Sequence, residues 1–297
     1  MGCRALGLQC KIVLNARGTT TYCHNLRCMV YYKTSDEVEL IRQSCLLVCK
    51  ALELVAKTIK PGIKAQFIDK QAEELIRDHG AEPGFKGYNG FPATLCVSTN
   101  ESVVHGIPDQ TEFVDGDIVS VDCGVFQNGF FGDAAYTFAI GDVQDEVLEL
   151  MRVTRESLYL GIEQAVVGKR LGDIGHAIQE HAERKHNYGV VRELVGHGLG
   201  RNLHESPEVP NYGRRGTGQV LKDGLVIAIE PMINLGKKEI SQLDDGWTVI
   251  TRDKKASAHF EHTVVVRKGE ADILSNHKLV EEAVKNNSEL KDISEKN

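Results

Sequence analysis

Two eight-residue stretches decide the fold of this 297-residue chain: DGDIVSVD at residues 115–122 and DGLVIAIE at residues 223–230. Each begins with the Asp-Gly pair that is typical of turns, continues as a largely apolar run of strand character, and ends on a carboxylate seven residues after the first Asp. A second acid in each half, Asp133 and then Glu261, precedes a glycine by eight residues. These matched offsets predict a duplicated structural unit.

Each of these strand regions follows a pair of predicted helices. In the first half, Thr34 and Glu37 have the spacing of a capping box, so we predict a helix that begins there and ends before Pro61. In the second half, apolar periodicity predicts helices over residues 145–166 and 172–185. Strands are predicted near residues 95–98, 117–125, 136–140, 225–230, 247–251 and 263–266. The predicted class is therefore α+β, with duplicated helix-helix-strand halves that pack around a pseudo-twofold axis and bring their acids to one shared centre.

Composition places the chain among ordinary globular proteins. Hydrophobic residues make up 41% and charged residues 26%, which suffices for a large buried core. The formal net charge is −7, whereas a nucleic-acid-binding surface needs a basic face, and no apolar run approaches the roughly 20 residues that cross a membrane. We therefore expect neither DNA nor a membrane as a partner, and we interpret the eight cysteines as reduced thiols of a cytoplasmic protein.

The two ends of the chain differ from its middle. Residues 1–28 contain basic residues but no acid, together with four of the cysteines, and we interpret them as a disordered extension. Residues 29–297 then form the folded domain, whose polar end from Asn286 onward is expected to fray.

Four carboxylates lie at positions where strands normally exclude charge. Asp122 and Glu230 end apolar runs, and Glu261 stands just before another. A buried carboxylate without a partner is costly, and few basic residues lie beside these acids in sequence, so bound cations are the interpretation that we favour. His197 adds an imidazole within a glycine-rich stretch. Together with Asp133, the acids would balance two divalent ions, and such an oxygen-rich set suits manganese, iron(II) or cobalt at least as well as zinc.

Two further histidines are candidates for catalysis: His105, within VHGIP at residues 104–108, and His204, seven residues after His197. A single histidine beside a glycine is more often structural, but the neighbouring acids favour a chemical role here. Other hydrolase and cofactor signatures are absent from the sequence, which contains no HExxH, no GxSxG, and no GxGxxG at a strand-to-helix turn.

In their order along the chain, these motifs resemble those of the type I methionine aminopeptidases, a branch of the pita-bread metallopeptidase superfamily. The resemblance extends over residues 29–276. It is carried by GYNGFP (87–92), VHGIP (104–108), SVD (120–122), GD (132–133), GHGLG (196–200), IEPM (229–232) and AHFEH (258–262). It implies a pita-bread fold with a central antiparallel sheet, and it makes residues 29–297 a metallopeptidase catalytic domain.

The resemblance also implies a role for each acid. Asp133 and Glu261 would bridge two divalent metal ions, Asp122 would hold one of them, and His197 with Glu230 would hold the other. A water activated between the ions would attack the peptide, with Glu230 as its general base. Cobalt, manganese, iron(II) and zinc all stay open as the metal.

By the same resemblance, His105 and His204 flank the scissile peptide and stabilise the developing oxyanion. The pocket for the first side chain of the substrate would be lined by Tyr88, Phe91, Cys96, Leu203 and Trp247. The family often has Phe where this chain has Leu203, which would make the pocket slightly wider. Asn100 and Ser257 match a monovalent-cation site of the family.

The implied function is removal of the initiator methionine from the N-termini of nascent peptides by a monomeric cytoplasmic enzyme, with association with the ribosome as a further expectation. A Xaa-Pro peptidase of the same fold is an alternative, because it would share all five ligand positions. The short amino-terminal region and the motif at residues 87–92 argue against it. A non-catalytic binding homologue is the other alternative, although such relatives typically lose ligands and this chain retains all of them.

Overall fold

The computed structural model describes residues 29–293, so the predicted disordered extension at residues 1–28 lies outside the described residues. Residues 29–293 contain five α-helices: α1 (Ser35–Thr58), α2 (Ala65–Asp78), α3 (Asp145–Ile162), α4 (Leu171–Gln179) and α5 (His277–Lys285). A 3₁₀ turn spans Tyr88–Gly90. A π-helical turn, Glu180–Lys185, continues α4, so the helix predicted over residues 172–185 changes type within its length.

The strands of the same range are mostly short. They are β1 (Glu82–Pro83), β2 (Leu95–Thr99), β3 (Ser102–Val104), β4 (Ile118–Gln127), β5 (Phe130–Ile140), β6 (Gly189–Val190), β7 (Gly196–Gly198), β8 (Glu205–Val209), β9 (Val226–Ile229), β10 (Met232–Asn234), β11 (Ile240–Gln242), β12 (Val249–Thr251), β13 (Ser257–His259), β14 (His262–Val265), β15 (Asp272–Ile273) and β16 (Leu290–Lys291).

The strands pair antiparallel in every sheet of the described range. In the first half, β4 and β5 form a long hairpin, with β1 and β2 paired to β4 and β16 paired to β5. In the second half, the order is β15-β14-β9-β7-β8. Two three-stranded sheets, β13-β10-β6 and β11-β12-β3, complete the strand arrangement. The acids singled out in the sequence therefore belong to two separate antiparallel sheets, one in each half.

The first helix of each half covers the strands that carry the acids. The Thr34 hydroxyl accepts a hydrogen bond from the Glu37 N–H at 3.2 Å, and the Glu37 carboxylate accepts one from the Thr34 N–H at 3.1 Å, which confirms the predicted capping box of α1. Ile41, Val48 and Leu52 on α1 are fully buried, and α1 packs against β4 and β5. In the second half, α3 contacts β9 and β13 in the corresponding way.

The duplication is visible in the backbone. Gly116 and Gly224, which follow the first Asp of the two matched stretches, have φ angles of 93° and 80°. Gly62 and Gly168 lie between the two helices of their respective halves and have φ angles of 84° and 92°. Because only glycine adopts such left-handed angles readily, the same turns recur at matched positions. The predicted duplicated α+β arrangement is confirmed.

The hairpin between β4 and β5 is longer than predicted. β5 starts at Phe130, not near Tyr136, because Asn128 and Gly129 form a two-residue loop. Both loop residues have positive φ, 53° and 82°, as a type I′ turn requires, and Gln127 pairs with Phe130 across the loop. The Asn-Gly pair was the available sequence signal for this turn.

The prediction that the chain frays from Asn286 onward is wrong for the part that the structure describes. Leu290 in β16 pairs with the last residue of β5. The Asn287 side chain donates hydrogen bonds to the carbonyls of Ala56 and Ile59, at 2.8 and 3.1 Å. These carbonyls belong to the last turn of α1 and its cap, so the chain end satisfies acceptors that a helix leaves free.

The thiols and the helices agree with a chain that lacks disulfides and membrane spans over residues 29–293. No helix in that range is long and apolar enough to cross a membrane. Its four cysteines, Cys45, Cys49, Cys96 and Cys123, are buried free thiols, and burial raises the pKa of Cys45 and of Cys49 to about 12. The other four cysteines of the sequence lie outside the described residues.

Candidate metal centre and substrate cleft

The first half brings two carboxylates to one face of its hairpin. Asp122 in β4 pairs in register with Ala135, and Asp133 in β5 pairs with Gly124. The two acids are thus offset by two residues along antiparallel neighbours, which places them on the same face of the sheet. Gly124 packs closely on Phe85, where a Cβ at Gly124 would lie 2.5 Å from the ring.

The second half supplies two more carboxylates and an imidazole. Glu230 directly follows β9, and Glu261 directly precedes β14. Since β9 and β14 pair with Ile229 opposite His262, the two glutamates stand next to each other at the ends of neighbouring strands. His197 occupies the middle of β7, which pairs with β9.

Two hydrogen bonds join the halves at this point. The Glu261 N–H donates to the carbonyl of Ala135 at 3.0 Å. The Thr263 hydroxyl donates to the carbonyl of Asp133 at 2.7 Å. The acids of the two sheets are therefore held together by backbone contacts between β5 and the start of β14.

The five side chains converge on one small volume. Ligating atoms of Asp133, His197 and Glu261 all lie within 4.8 Å of one another. The His197 Nε2 is 3.8 Å from Asp133 Oδ2 and 3.5 Å from Glu230 Oε1. The Nδ1 of His197 lies 2.9 Å from the carbonyl of Gly198 and donates to it, so the Nε2 lone pair faces the carboxylates. This is the orientation that a metal-binding histidine needs.

The carboxylates repel each other in a buried place. Burial raises the pKa of Asp122 to about 7. Burial, Glu261 and Asp122 raise the pKa of Asp133 well above its ordinary value. The pKa values of Glu230 and Glu261 are raised in the same way, by burial first and by neighbouring carboxylates second. Without a cation, these carboxyls therefore lose their protons only at higher pH than isolated carboxyls do.

The remaining polar atoms of the cluster fit a divalent cation. Asp122 Oδ1, Asp133 Oδ1 and Glu261 Oε1 are buried oxygens with no hydrogen-bond partner among the described residues. Burial lowers the pKa of His197 to about 4, so its imidazole is neutral at pH 7. Four converging carboxylates, three of them with an unpartnered oxygen, and one neutral imidazole are donors that hard and borderline divalent metals prefer.

One residue of the centre escaped the sequence analysis. His259 is buried, its Nε2 lies 3.8 Å from Glu230 Oε2, and neither of its ring nitrogens has a hydrogen-bond partner in the part of the chain that the structure describes. Burial first, and His105 second, lower its pKa to about 3. Its place two residues before Glu261 in an extended run was the only sequence signal.

The two candidate catalytic histidines border the cluster. The rings of His204 and His197 contact each other with centroids 4.2 Å apart, and His204 Nδ1 lies 2.8 Å from the Tyr88 hydroxyl. The surrounding protein, then His197 and His105, lower the pKa of His204 to about 3, although the residue is exposed. Burial also lowers the pKa of His105. Both imidazoles are therefore neutral at pH 7.

His105 has an unusual backbone. Its φ angle of 59° lies in the left-handed region, which non-glycine residues rarely adopt. The next residue packs so tightly that a Cβ at Gly106 would lie 2.1 Å from the carbonyl of Val97. Such strained conformations cluster at functional sites, which supports a functional hypothesis for His105.

The residues predicted for the substrate pocket lie together. One apolar cluster contains all of them: Tyr88, Phe91, Cys96, Leu203 and Trp247. Phe91 meets Trp247 edge to face with ring centroids 5.1 Å apart. Cys96 pairs in register with Asp122, so the cluster borders the acidic centre. Burial first and the Asp122 charge second raise the pKa of the Cys96 thiol well above its ordinary value, so it is an uncharged wall of the cleft.

Asn100 and Ser257 are also neighbours. The Ser257 N–H donates to the Asn100 carbonyl at 2.9 Å, and Asn100 has a left-handed φ of 52°. Their side chains are engaged within the protein, Asn100 with Asp117 at 2.8 Å and Ser257 with Asn234 at 2.9 Å. Binding of a monovalent cation by this pair stays a prediction.

Duplicated halves that join at buried carboxylates, beside an apolar cleft with neutral histidines, define the class of a metal-dependent hydrolase. Residues 39–268 match metallopeptidase family M24. Methionine aminopeptidase of Clostridium perfringens is 49% identical over 247 residues, which cover 83% of this chain and 99% of that protein. Methionine aminopeptidase 1 of Bacillus subtilis is 47% identical over the same coverage. The solved methionine aminopeptidase of Thermotoga maritima has a TM-score of 0.82 at 44% identity and covers 84% of this chain and 100% of that one.

The chain belongs to metallopeptidase family M24, within which it belongs with the methionine aminopeptidases. The family and the pita-bread fold that its motifs predicted are confirmed. It is a metal-dependent aminopeptidase that uses divalent metal.

Proposed function

We propose that this enzyme removes the initiator methionine from the N-termini of nascent proteins with two divalent metal ions. The observation that carries the proposal is the convergence of four buried carboxylates and a neutral imidazole from duplicated halves, with three carboxylate oxygens unpartnered. A cluster of this kind is costly unless cations compensate it. Its position beside an apolar cleft fits a peptidase that binds one hydrophobic side chain.

The proposed ligands are Asp122, Asp133, His197, Glu230 and Glu261, which together would hold the two ions where the halves meet. Their four negative charges balance two divalent ions. When bound, the ions would supply a water of lowered pKa and would polarise the scissile carbonyl. Cobalt, manganese, iron(II) and zinc are the candidate metals, since oxygen-rich sites accept all of them.

Glu230 is the proposed general base. Its Oε1 lies 3.5 Å from His197 and its Oε2 lies 3.8 Å from His259. In the metal-free centre, burial and the neighbouring Asp122 and Asp133 raise its pKa, so it holds a proton more readily there than an exposed glutamate does. It would accept the proton of the attacking water and return that proton to the leaving amine.

His204 is the proposed donor to the developing oxyanion. We assign the Tyr88 hydroxyl as the donor to Nδ1, 2.8 Å away, and this assignment places the proton of the neutral ring on Nε2. That Nε2–H is free to donate to the carbonyl oxygen of a peptide in the cleft. His105, which also lowers the pKa of His204 and is therefore nearby, would bind the peptide on the other side of the scissile bond.

The cleft supports a preference for methionine. Aromatic rings of Phe91 and Trp247 and the sulfur of Cys96 line the cluster next to Asp122. Thioethers make favourable contacts with ring edges and with other polarisable groups. Leu203 completes the wall, and a smaller residue than phenylalanine there leaves a slightly wider pocket.

The setting of the reaction belongs to the same proposal. Residues 29–297 would act as one catalytic domain, monomeric and in the cytoplasm, on peptides as they leave the ribosome. The buried free thiols among the described residues favour a reducing compartment. A monovalent cation at Asn100 and Ser257 would be a structural ion, distant in role from the chemistry.

The test is hydrolysis of Met-Ala-Ser by metal-stripped protein to which manganese, cobalt, iron(II) or zinc is added separately. Ala-Pro and Leu-Ala-Ser serve as control substrates. We expect metal-dependent release of methionine alone, with two ions bound per chain at saturation. Cleavage of Ala-Pro instead would keep the metal chemistry but move the chain to the Xaa-Pro peptidases. Failure to cleave any substrate with any metal would contradict the proposal.

A further inference from the structure

The segment in front of α1 is attached to the second half of the protein. Val30 forms a parallel bridge with Ser206, and Tyr32 forms an antiparallel bridge with Leu225. The Lys33 N–H donates to the carbonyl of Gly224 at 2.7 Å. Residues 29–33, which we call the strap, therefore cross from the first helix to the loop that carries His204.

The strap delivers a buried ion pair to that loop. The Lys33 Nζ lies 2.6 Å from Glu205 Oε2, and both side chains are only 5% exposed. The other oxygen of Glu205 accepts a hydrogen bond from the Asn202 N–H at 3.2 Å. The Tyr31 ring lies 5.4 Å from the Lys33 ammonium and covers it. The ammonium is thus enclosed by the loop and by the strap itself.

The loop is shaped around this ammonium. A Cβ at Gly200 would lie 2.5 Å from Lys33 Nζ and 2.8 Å from Glu205 Oε1, so glycine leaves the space that the pair occupies. The Gly200 carbonyl accepts from the Phe131 N–H at 2.8 Å, which ties the same loop to β5. Residues 200–206, which we call the His204 loop, include the first two residues of β8. They are therefore fixed at one end by β5 and at the other by the strap and by the pairing of Glu205 with Gly198.

The position of His204 depends on this loop. Its side chain contacts the His197 ring and the Tyr88 hydroxyl, whereas its backbone lies directly before Glu205. A buried ion pair seldom adds stability over a well-packed apolar pair, because desolvation offsets the attraction. A directional ion pair at this place does fix the register of the loop, which an apolar pair would not do.

We propose that the Lys33–Glu205 ion pair positions His204 for catalysis, so that Lys33 acts on turnover through a residue that it does not touch. The inference rests on the proposed role of His204. Lys33 is a positioning residue. Without its ammonium, the Glu205 carboxylate would turn toward solvent and move the His204 backbone with it. Displacement of a catalytic group by about 1 Å can lower a rate by about 10²-fold.

The test compares Lys33→Met with Lys57→Met in the full chain. Lys57 forms an exposed pair with Glu53 at 2.6 Å, on the far end of α1, and is the matched control. With Met-Ala-Ser as substrate, we expect Lys33→Met to lower kcat by about 10-fold or more, with KM changed by less than about 3-fold and two metals still bound. Lys57→Met should match the wild type in all three measurements.

A double-mutant cycle separates positioning from general damage. In a His204→Ala background, Lys33→Met should lower kcat by less than about 2-fold further, because the residue that it positions is gone. An undiminished 10-fold loss in that background would overturn the proposal. So would a folded Lys33→Met protein with the kcat of the wild type.

Two further measurements keep the proposal testable when activity or folding fails. If Lys33→Met does not fold, Lys33→Met combined with Glu205→Gln leaves no unpaired buried charge, and the same loss of kcat is expected. The ¹⁵N chemical shifts of His204 in histidine-labelled protein should change in Lys33→Met and not in Lys57→Met. This shift requires no turnover, so unchanged shifts would refute positioning by Lys33, whereas an inactive wild type would refute the proposed function alone.

Discussion

The His197 ring lies against the His204 ring with a centroid separation of 4.2 Å. One imidazole faces the buried carboxylates, and the other faces the apolar cleft and the Tyr88 hydroxyl. The two functions proposed for the site, metal binding and substrate binding, therefore meet at two imidazole rings that contact each other directly. A substitution at either histidine should therefore be tested for its effect on both metal binding and substrate binding.

Loss of the Asp133 carboxylate, one of the proposed metal ligands, should abolish turnover without unfolding the protein. In Asp133→Asn, the amide keeps the size of the side chain but removes the negative charge that would balance the metals. We expect no measurable release of methionine and fewer than two ions bound per chain by elemental analysis. The metal-free variant should melt at least as high as the metal-free wild type, because like-charge repulsion is relieved.

The matched control for this variant is Asp244→Asn, which changes an exposed aspartate. It should keep full activity and two metals. Glu261→Gln should behave like Asp133→Asn. An Asp133→Asn protein that retained both ions and normal turnover would remove Asp133 from the proposed centre.

His204→Ala should act on the chemical step. If Nε2–H stabilises the oxyanion, kcat should fall by roughly 10²–10³-fold while KM changes little. Steady-state kinetics on Met-Ala-Ser measures both, and His79→Ala, at an exposed helix end, is the control. A loss confined to KM would assign His204 to ground-state binding only.

The stability of the metal-free protein should depend on pH through Asp122. Its pKa is about 7 in the folded state and near 3.9 when unfolded, so the folded state holds a proton that the unfolded state releases between these values. The contribution of this proton to the free energy of unfolding is fully present below about pH 4. It is lost as the pH rises through about 7. Buried histidines such as His197 titrate in the opposite sense, so the wild type alone cannot isolate the effect.

The difference between Asp122→Asn and the wild type isolates it. Without metal, the melting temperatures should be similar at pH 5, and the variant should be higher by several degrees at pH 8. With metal bound, the order should reverse at pH 8, because the ionised carboxylate then has a cation. A difference that does not vary with pH in the metal-free state would show that Asp122 is not the titrating group.

Trp247→Ala should weaken substrate binding more than catalysis. The indole meets Phe91 edge to face and covers one side of the apolar cluster. Its removal exposes the cleft, so KM for Met-Ala-Ser should rise by about 10-fold, as loss of about 1.4 kcal/mol of apolar contact requires, with kcat within about 3-fold. Leu243→Ala, at an exposed side chain nearby in sequence, is the control. Equal losses in kcat and kcat/KM would instead indicate a role in the transition state.

Features that depend on neighbours in sequence were predictable. The capping box between Thr34 and Glu37 is local, and the acids at Asp122 and Glu230 stand out because each interrupts an apolar strand pattern. The duplication could be predicted because matched turns need glycine at matched positions, such as Gly116 and Gly224. These signals were sufficient for the fold class and for the candidate ligands.

Features that depend on distant contacts were not predictable. Asn287 binds carbonyls at the end of α1, which precede it by more than two hundred residues. Lys33 pairs with Glu205, which follows it by 172 residues. His259 approaches Glu230 only because β13 pairs with β10, where His259 lies opposite Met232. No local pattern distinguishes these side chains from solvated ones, since their partners are set by the packing of the two halves.

Two hydrogen bonds, from the Glu261 N–H to the Ala135 carbonyl and from the Thr263 hydroxyl to the Asp133 carbonyl, join the two halves. Neither half contains all of the proposed ligands. The hydrogen bonds that join the halves therefore lie directly beside the candidate metal centre. A fluctuation that separates the two halves slightly would lower turnover before any helix unfolds. Turnover in this enzyme is thus a sensitive measure of how closely its two halves are held together.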